Sequence, residues 1–96
     1  MTDKKAPQLC IVTIIGEDQV GIVAKLATLM ARAGINIVDI TQKVFEETFV
    51  MTMAVDVTRA TVGMDAIKKR LDRVGTQMAL KITIQDVNLF KTMHRI

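Results

Sequence analysis

The sequence predicts a single α+β domain with the element order β-α-β-β-α-β. Three observations predict it. Four segments carry the apolar patterns of β-strands, two segments repeat apolar residues at the spacing of a helix, and glycines or polar turns separate them. The chain has 96 residues, of which half are apolar, so it has room for one hydrophobic core.

The first strand is expected over residues 9–15, the segment LCIVTII, which is apolar at both alternating positions. A strand of this kind is covered on both faces, and we therefore expect it in the middle of a sheet. It ends at Gly16, and a polar turn follows. The lone Cys10 has no partner for an internal disulfide, and it is interpreted as a small buried apolar residue.

The first helix is expected to begin at about Gln19, with Asp18 as its N-cap, because an aspartate carboxylate accepts bonds from the first N–H groups of a helix. Gly34 fits the left-handed position just past the helix end. The apolar stripe of this helix consists of Ile22, Leu26, Leu29 and Ala33.

The second and third strands are expected to form a hairpin. Residues 35–45 are rich in β-branched side chains, and their apolar parity changes partway, which predicts a bulge or a bend near Ile37 and Val38. Polar residues 46–48 make a break of hairpin length, and apolar side chains then alternate cleanly over residues 49–57.

The second helix is predicted to be capped by Thr61 and to end at Gly75. Residues 78–84 alternate between apolar and polar side chains, which predicts a fourth strand at the edge of the sheet. Apolar residues at near-helical spacing over residues 86–96 predict a short docked C-terminal helix, and residues 1–7 are interpreted as a flexible leader.

These elements together predict the ferredoxin-like arrangement, a four-stranded antiparallel sheet with two helices on one face. Right-handed crossovers place the first and third strands in the middle. Either the set Cys10, Val12 and Ile14 or the opposite parity must point to the face without helices. An apolar surface of this kind marks a contact site, so this face or the edge formed by residues 35–45 is expected to be buried in a homo-oligomer, most simply a dimer.

The composition and charge of the chain limit the classes of partner that we expect. The net charge of +3 is mild, and no basic stripe is interleaved with aromatic residues for stacking bases, so no nucleic-acid partner is expected. The basic run at residues 68–70 is interpreted as a solvated helix face, and an anionic partner is the less favoured alternative. No apolar run approaches the roughly 18 residues of a membrane span and no secretory signal is visible, so the cytoplasm is the expected compartment.

The motifs of several functions found on this fold are missing from the sequence. Residues 16–19 contain no Cys-x-x-Cys pair for metal transfer, residues 16–24 contain no arginine to hold an acyl phosphate, and the Lys-Ser/Thr pair of a P-loop is absent. The one histidine, His94, is interpreted as a surface residue of the tail. We therefore predict no catalytic residue, no metal site and no cofactor.

The turn between the first strand and the first helix is the candidate binding site. It places a carboxylate, glycines and bare helix N–H groups at one point, which suits a small polar or anionic ligand. Asp39, amid apolar residues of the second strand, has two readings. It is either an edge carboxylate facing solvent or a polar group facing the cleft beside the first helix.

Residues 14–23 (IIGEDQVGIV) and residues 33–37 (AGINI) together resemble the ACT domain, a ligand-sensing module of amino-acid metabolism, over about residues 8–85. Residues 90–96 (FKTMHRI) look like the end of a family of short stand-alone ACT proteins of bacteria and archaea, which is similar to halves of the glycine-cleavage-system regulator. The resemblance implies a non-enzymatic regulatory function in which serine or another small amino acid binds between two subunits.

The implied site combines the turn before the first helix of one subunit with the start of the second strand of the other. An α-carboxylate would sit near Gly21, where no Cβ blocks approach to the helix N–H groups. Asp18 or Asp39 would pair with the α-ammonium, and Asn36 offers both donor and acceptor. The residues carried over are Gly16, Asp18, Gln19, Val20, Gly21, Ile22, Asn36, Ile37 and Asp39.

The sequence departs from the family pattern at two positions. Members that bind amino acids often have a polar side chain where Gly16 stands and an asparagine where Asp18 stands. The identity of the ligand therefore stays open. A second reading also stays open, in which the domain is a ligand-free module for protein–protein assembly.

Overall fold

The computed structural model describes residues 7–87, and it confirms the predicted α+β fold and element order. Apart from residues 7, 86 and 87, the predicted leader and C-terminal helix lie outside the described residues. Neither helix of the described part is long and apolar enough to cross a membrane. The elements are β1 (Leu9–Glu17), α1 (Ile22–Arg32), β2 (Asn36–Phe45), β3 (Thr48–Asp56), α2 (Met64–Met78) and β4 (Leu80–Asp86).

The four strands form one antiparallel sheet in the order β2-β3-β1-β4. This order confirms that the first and third strands lie in the middle, and it leaves β2 and β4 as the edges. The pairing of β2 with β3 shifts register between Ile37 and Asp39, so Val38 is the extra residue of a bulge, as its parity change predicts.

The core lies between the sheet and the helices. On β1, Cys10, Val12 and Ile14 are fully buried, and they pair with buried residues of β3. The opposite parity of β1 therefore faces the open side of the sheet, where it is half-buried and ends at the exposed Ile15. The expected cover on both faces of β1 is thus incomplete. The buried residues of β3 are Phe49, Met51, Met53 and Val55.

Helix α1 begins one turn later than predicted. Its N-cap is Gly21, at φ 93°, and no side chain caps the helix, so the predictions of Asp18 as the cap and Gln19 as the start are wrong. Asp18 instead stands in the preceding loop, because its N–H donates to the carbonyl oxygen of Glu47 at 3.0 Å. This bond holds Asp18 beside the β2–β3 hairpin rather than at the helix end.

The C-terminus of α1 is closed by the glycine that the sequence indicates. Gly34 has φ 72°, and its N–H donates to the carbonyl oxygen of Ala31 at 3.1 Å. The N–H of Ile35 donates to the carbonyl oxygen of Met30 at 2.9 Å. These two bonds are the Schellman pattern, which satisfies carbonyl groups that the helix end leaves without partners.

Helix α2 differs from the prediction at both ends. It begins after Gly63, without a side-chain cap, so the prediction that Thr61 caps it is wrong. It also continues past Gly75 to Met78, and the left-handed Ala79 ends it. Gly75 does not form a turn but lets α2 approach the start of β4 closely, because a Cβ at this position would lie 2.8 Å from the carbonyl oxygen of Leu80. The fourth strand therefore starts at Leu80.

Candidate functional site

The turn before α1 is fastened on two sides. On one side, the N–H of Asp18 donates to the carbonyl oxygen of Glu47 in the β2–β3 hairpin. On the other, the side-chain amide of Gln19 donates to the carbonyl oxygen of Met78 at 2.8 Å, at the end of α2. Gln19 therefore braces the turn, while the neighbouring Val20 is 98% exposed at its tip.

The N-terminus of α1 presents backbone donors to solvent. Its first turn contains no acidic residue, and its first intrahelical bond runs from the N–H of Lys25 to the carbonyl oxygen of Gly21 at 2.9 Å. The N–H groups of Ile22, Val23 and Ala24 come before that bond and have no intrahelical partner. Nothing lies within 4 Å of a Cβ built on Gly21, and Val23 and Ala24 are exposed, so the first turn of α1 is open to solvent at these residues.

The side chains next to these donors play unequal roles. Ile22 is buried in the core, so its side chain cannot contact a ligand. Gly16 lies under the turn at the end of β1, where a Cβ would come within 2.5 Å of Leu80 Cδ2 and 3.1 Å of the Ala79 carbonyl oxygen. The space of a polar side chain at position 16 is therefore filled by Leu80, which gives the glycine a packing reason.

The second group of predicted site residues lies at the other end of the sheet. Through β3, Gly16 is aligned with Phe49, whereas Asn36 pairs with Asp56. Seven residues of extended strand separate those two positions, or about 23 Å. The structure therefore does not bring the turn and the start of β2 together within one chain.

Asp39 is an edge carboxylate facing solvent. It pairs with Ala54, whose neighbours on β3, Met53 and Val55, are buried under the helices, so Asp39 points to the opposite side. Its Oδ1 accepts the N–H of Ile40 at 3.0 Å. Asn36 is exposed and Ile37 is half-buried at the start of the same strand.

Strand β2 concentrates exposed apolar side chains. Among the described residues it has no strand on its outer side. Phe45 is 74% exposed and Val44 is 49% exposed, and Val38 and Ile40 are also exposed. A long edge with these side chains is a template for pairing with another strand, which proteins usually avoid unless the edge has a partner.

A groove of about 780 Å³ lies between the two helices and shares only Gly21 with the predicted site. Its lining includes Lys25 and Arg32 from α1 and Arg70 and Arg73 from α2. The sequence does not predict this groove, because the basic residues of α2 have the pattern of a solvated helix face. The signal was the presence of basic residues on two helices that the fold makes neighbours.

Two observations bear on metals and nucleophiles. Within residues 7–87, no group of three or more His, Cys, Asp or Glu side chains is arranged to hold a metal ion. Cys10 is fully buried, and this burial, together with the nearby negative charge of Asp86, raises the pKa of its thiol. A buried thiol with a raised pKa is a poor nucleophile at neutral pH.

The fold agrees with the comparison to known families. A family model of the ACT domain matches residues 8–85, and the chain therefore belongs to the ACT domain family. It is 40% identical, over 86 residues, to a UPF0237 protein of Clostridium acetobutylicum, a match that covers 90% of this chain and 97% of that relative.

Solved structures show the same fold. An ACT domain protein from Streptococcus pneumoniae is 30% identical, with a TM-score of 0.76 over 88% of this chain and 96% of that one. A candidate glycine cleavage system transcriptional repressor is 23% identical, with a TM-score of 0.65. That match covers 85% of this chain and 47% of the repressor, in line with the predicted similarity to one half of such a regulator.

Proposed function

We propose that this protein is a non-enzymatic regulatory ACT module of the cytoplasm, which binds a small amino acid or a related metabolite between the subunits of a homodimer. One observation carries the proposal. The turn before α1 and the start of β2 lie at opposite ends of one sheet, so a site that uses both requires a second chain.

Antiparallel pairing of two β2 edges joins the two groups. In that arrangement the start of β2 of one subunit lies beside the end of β2 of the other. The end of β2 adjoins the turn, because Asp18 is bonded to Glu47 of the hairpin. Asn36 of one subunit therefore approaches the Asp18 turn of the other, and the two-fold axis generates two equal sites.

The chemistry of the turn suits an amino acid. The free N–H groups at the start of α1 and the positive end of the helix dipole favour an α-carboxylate. The exposed carboxylate of Asp18 offers a partner for the α-ammonium. Asn36 contributes a donor and an acceptor from the other subunit.

Burial of the exposed apolar side chains of β2 supplies the driving force for the dimer. Val38, Ile40, Val44 and Phe45 stand along this strand with large exposed fractions. Removing such surface from water contributes about 25 cal/mol for each Å². The ACT domain assignment and the regulatory name of the glycine cleavage relative support the same general function.

A ligand-free assembly module is the second candidate, and two contacts favour it. Leu80 fills the space where a polar side chain at position 16 would stand, and the amide of Gln19 is engaged by Met78. The turn then has fewer side chains free to select a ligand. This candidate has the same β2 dimer and no response to metabolites.

A thermal-shift screen of the common amino acids separates the two candidates. A ligand that binds the folded dimer raises the melting temperature by mass action, with a saturable concentration dependence. Asp18→Ala and Asn36→Ala should each abolish the shift, whereas Asp72→Ala, an exposed aspartate of α2, should leave it intact. A flat response to every amino acid at millimolar concentration would reject the sensing function and favour the assembly module.

A further inference from the structure

The groove between α1 and α2 is a built feature of the helix layer. The Gln19–Met78 hydrogen bond sets the start of α1 beside the end of α2. At the other end, the N–H of Thr61 donates to the carbonyl oxygen of Ala33 at 2.9 Å, so the end of α1 adjoins the entry to α2. The two helices are therefore antiparallel, and the groove of about 780 Å³ runs between them. Its volume lies in the range of small-molecule sites.

The charge of the groove has one sign. Lys25 and Arg32 line it from α1, Arg70 and Arg73 line it from α2, and no carboxylate is among its lining residues. The sequence of α1 contains no acidic residue at all. Four cations that face one another across a groove repel, so a bound anion would be stabilised there.

The shape and the other lining residues indicate which anion fits. Lys25 and Arg32 are seven residues apart on α1, so their backbone positions are separated by about 10 Å along the groove. Charge spread over this length matches an elongated anion better than a compact one. The apolar side chains of Leu29 and Val74 contribute to the floor of the groove, and the charged side chains lie around them.

We propose that this groove binds a small polyanion with a chain of two or more phosphate groups, either free or as the tail of a nucleotide. Arginine guanidinium groups bind phosphate oxygens in a bidentate manner, and lysine adds a point charge. No aromatic residue lines the groove, so recognition is directed at the phosphate chain and not at a base. This site goes beyond the proposed amino-acid site and does not depend on the subunit interface.

Isothermal titration calorimetry of the full chain tests the proposal at low ionic strength. Tripolyphosphate and ATP should bind with similar affinity, inorganic phosphate about tenfold or more weakly, and adenosine not at all. Affinity should fall as sodium chloride is added, because the contacts are ionic and exposed. Absence of tripolyphosphate binding, or binding of adenosine as tight as that of ATP, would overturn the proposal.

Matched variants locate the site. Arg32→Gln combined with Arg73→Gln removes two exposed cations from the groove, and it should weaken tripolyphosphate binding by about tenfold or more. Lys68→Gln combined with Lys69→Gln makes the same change of net charge on exposed residues of α2 outside the lining. This control should stay within about twofold of the original protein.

Equal losses in the two double variants would show attraction to the net charge alone and would contradict a specific site. Circular dichroism of each variant establishes that it is folded before titration. Single-stranded RNA or an acidic peptide that binds the groove in preference to tripolyphosphate would also overturn the assignment. The amino-acid screen has separate ligands and separate variants, so each proposal can fail without the other.

Discussion

The backbone N–H of Asp18 donates to the carbonyl oxygen of Glu47 at 3.0 Å. This bond joins two parts of the chain that the sequence separates by a helix and a strand. It sets the turn before α1 against the end of the β2–β3 hairpin, and so beside the exposed edge of the sheet. The candidate ligand turn and the candidate dimer edge are therefore one continuous surface.

Enlarging Gly16 should destabilise the fold. In Gly16→Ala the new Cβ meets Leu80 Cδ2 at 2.5 Å and the Ala79 carbonyl oxygen at 3.1 Å, so we expect a loss of about 1–3 kcal/mol in the free energy of unfolding. Urea denaturation measures it. Because the nearer contact is a side-chain end, the loss should be smaller when it is measured in a Leu80→Val background. An equal loss in both backgrounds would show that Leu80 is not the obstacle.

Gly75→Ala should be destabilising even though alanine favours a helix. The helix preference contributes about 1 kcal/mol, but the Cβ would lie 2.8 Å from the Leu80 carbonyl oxygen, so the backbone of β4 must shift. Gly63→Ala is a steric control, since nothing lies within 4 Å of a Cβ there and its φ is negative. Gly63 is the N-cap of α2, where alanine is less favourable than glycine, so this variant should lose a little stability without any steric clash. Denaturant midpoints should fall clearly more for Gly75→Ala than for Gly63→Ala. A loss for Gly75→Ala no larger than the loss for Gly63→Ala would disprove the close approach.

Gly75 also illustrates which features of the fold could not be predicted from the sequence. The alternation of apolar residues in β3 and the parity change at Val38 are local signals, so this strand and the bulge could be predicted from the sequence. The strand order could be predicted because right-handed crossovers restrict the arrangement of a β-α-β-β-α-β chain. In a sequence, a glycine that ends a helix cannot be distinguished from a glycine that permits a close contact. The prediction that Gly75 ends α2 is wrong, because the contact that requires a glycine there is made with Leu80 of β4. The prediction that Asp18 caps α1 is wrong for a similar reason, because a hydrogen bond to Glu47, which is distant in the sequence, holds Asp18 away from the helix end.

The candidate sites could be predicted only in part, because each combines residues from segments that are distant in the sequence. The sequence indicated the residues of the turn and of β2, but only the register of the sheet shows that about 23 Å separates them. The basic groove combines Lys25 with Arg73, from two helices that are far apart along the chain. No pattern within one segment of the sequence records such a pairing.

Cys10 should make stability fall at alkaline pH. Burial raises the pKa of its thiol in the folded state, so its contribution is fully present below the unfolded pKa of about 8.5 and is lost as pH rises through the folded pKa. We expect the difference in free energy of unfolding between the original protein and Cys10→Ala to shrink above pH 8.5. A difference that stays constant up to pH 10 would contradict the burial effect.

The proposed dimer edge can be tested separately from the open sheet face. Val44→Lys places a charge on the exposed edge strand β2, and light scattering should show conversion of the dimer to a monomer. Val50→Lys places the same charge on the open face of the central strand β3, and the dimer should persist. The reverse pattern would mean that subunits pack face to face and that the proposed pocket does not form.

Subunit mixing tests the shared pocket most directly. Asp18→Ala and Asn36→Ala each damage a different half of the proposed site, so neither homodimer should bind the amino acid found in the thermal-shift screen. After random exchange of equal amounts, half of the dimers are heterodimers, and each carries one intact site and one doubly damaged site. Calorimetry should then recover about a quarter of the original binding capacity. A mixture that stays inactive after exchange would contradict a site built from two subunits.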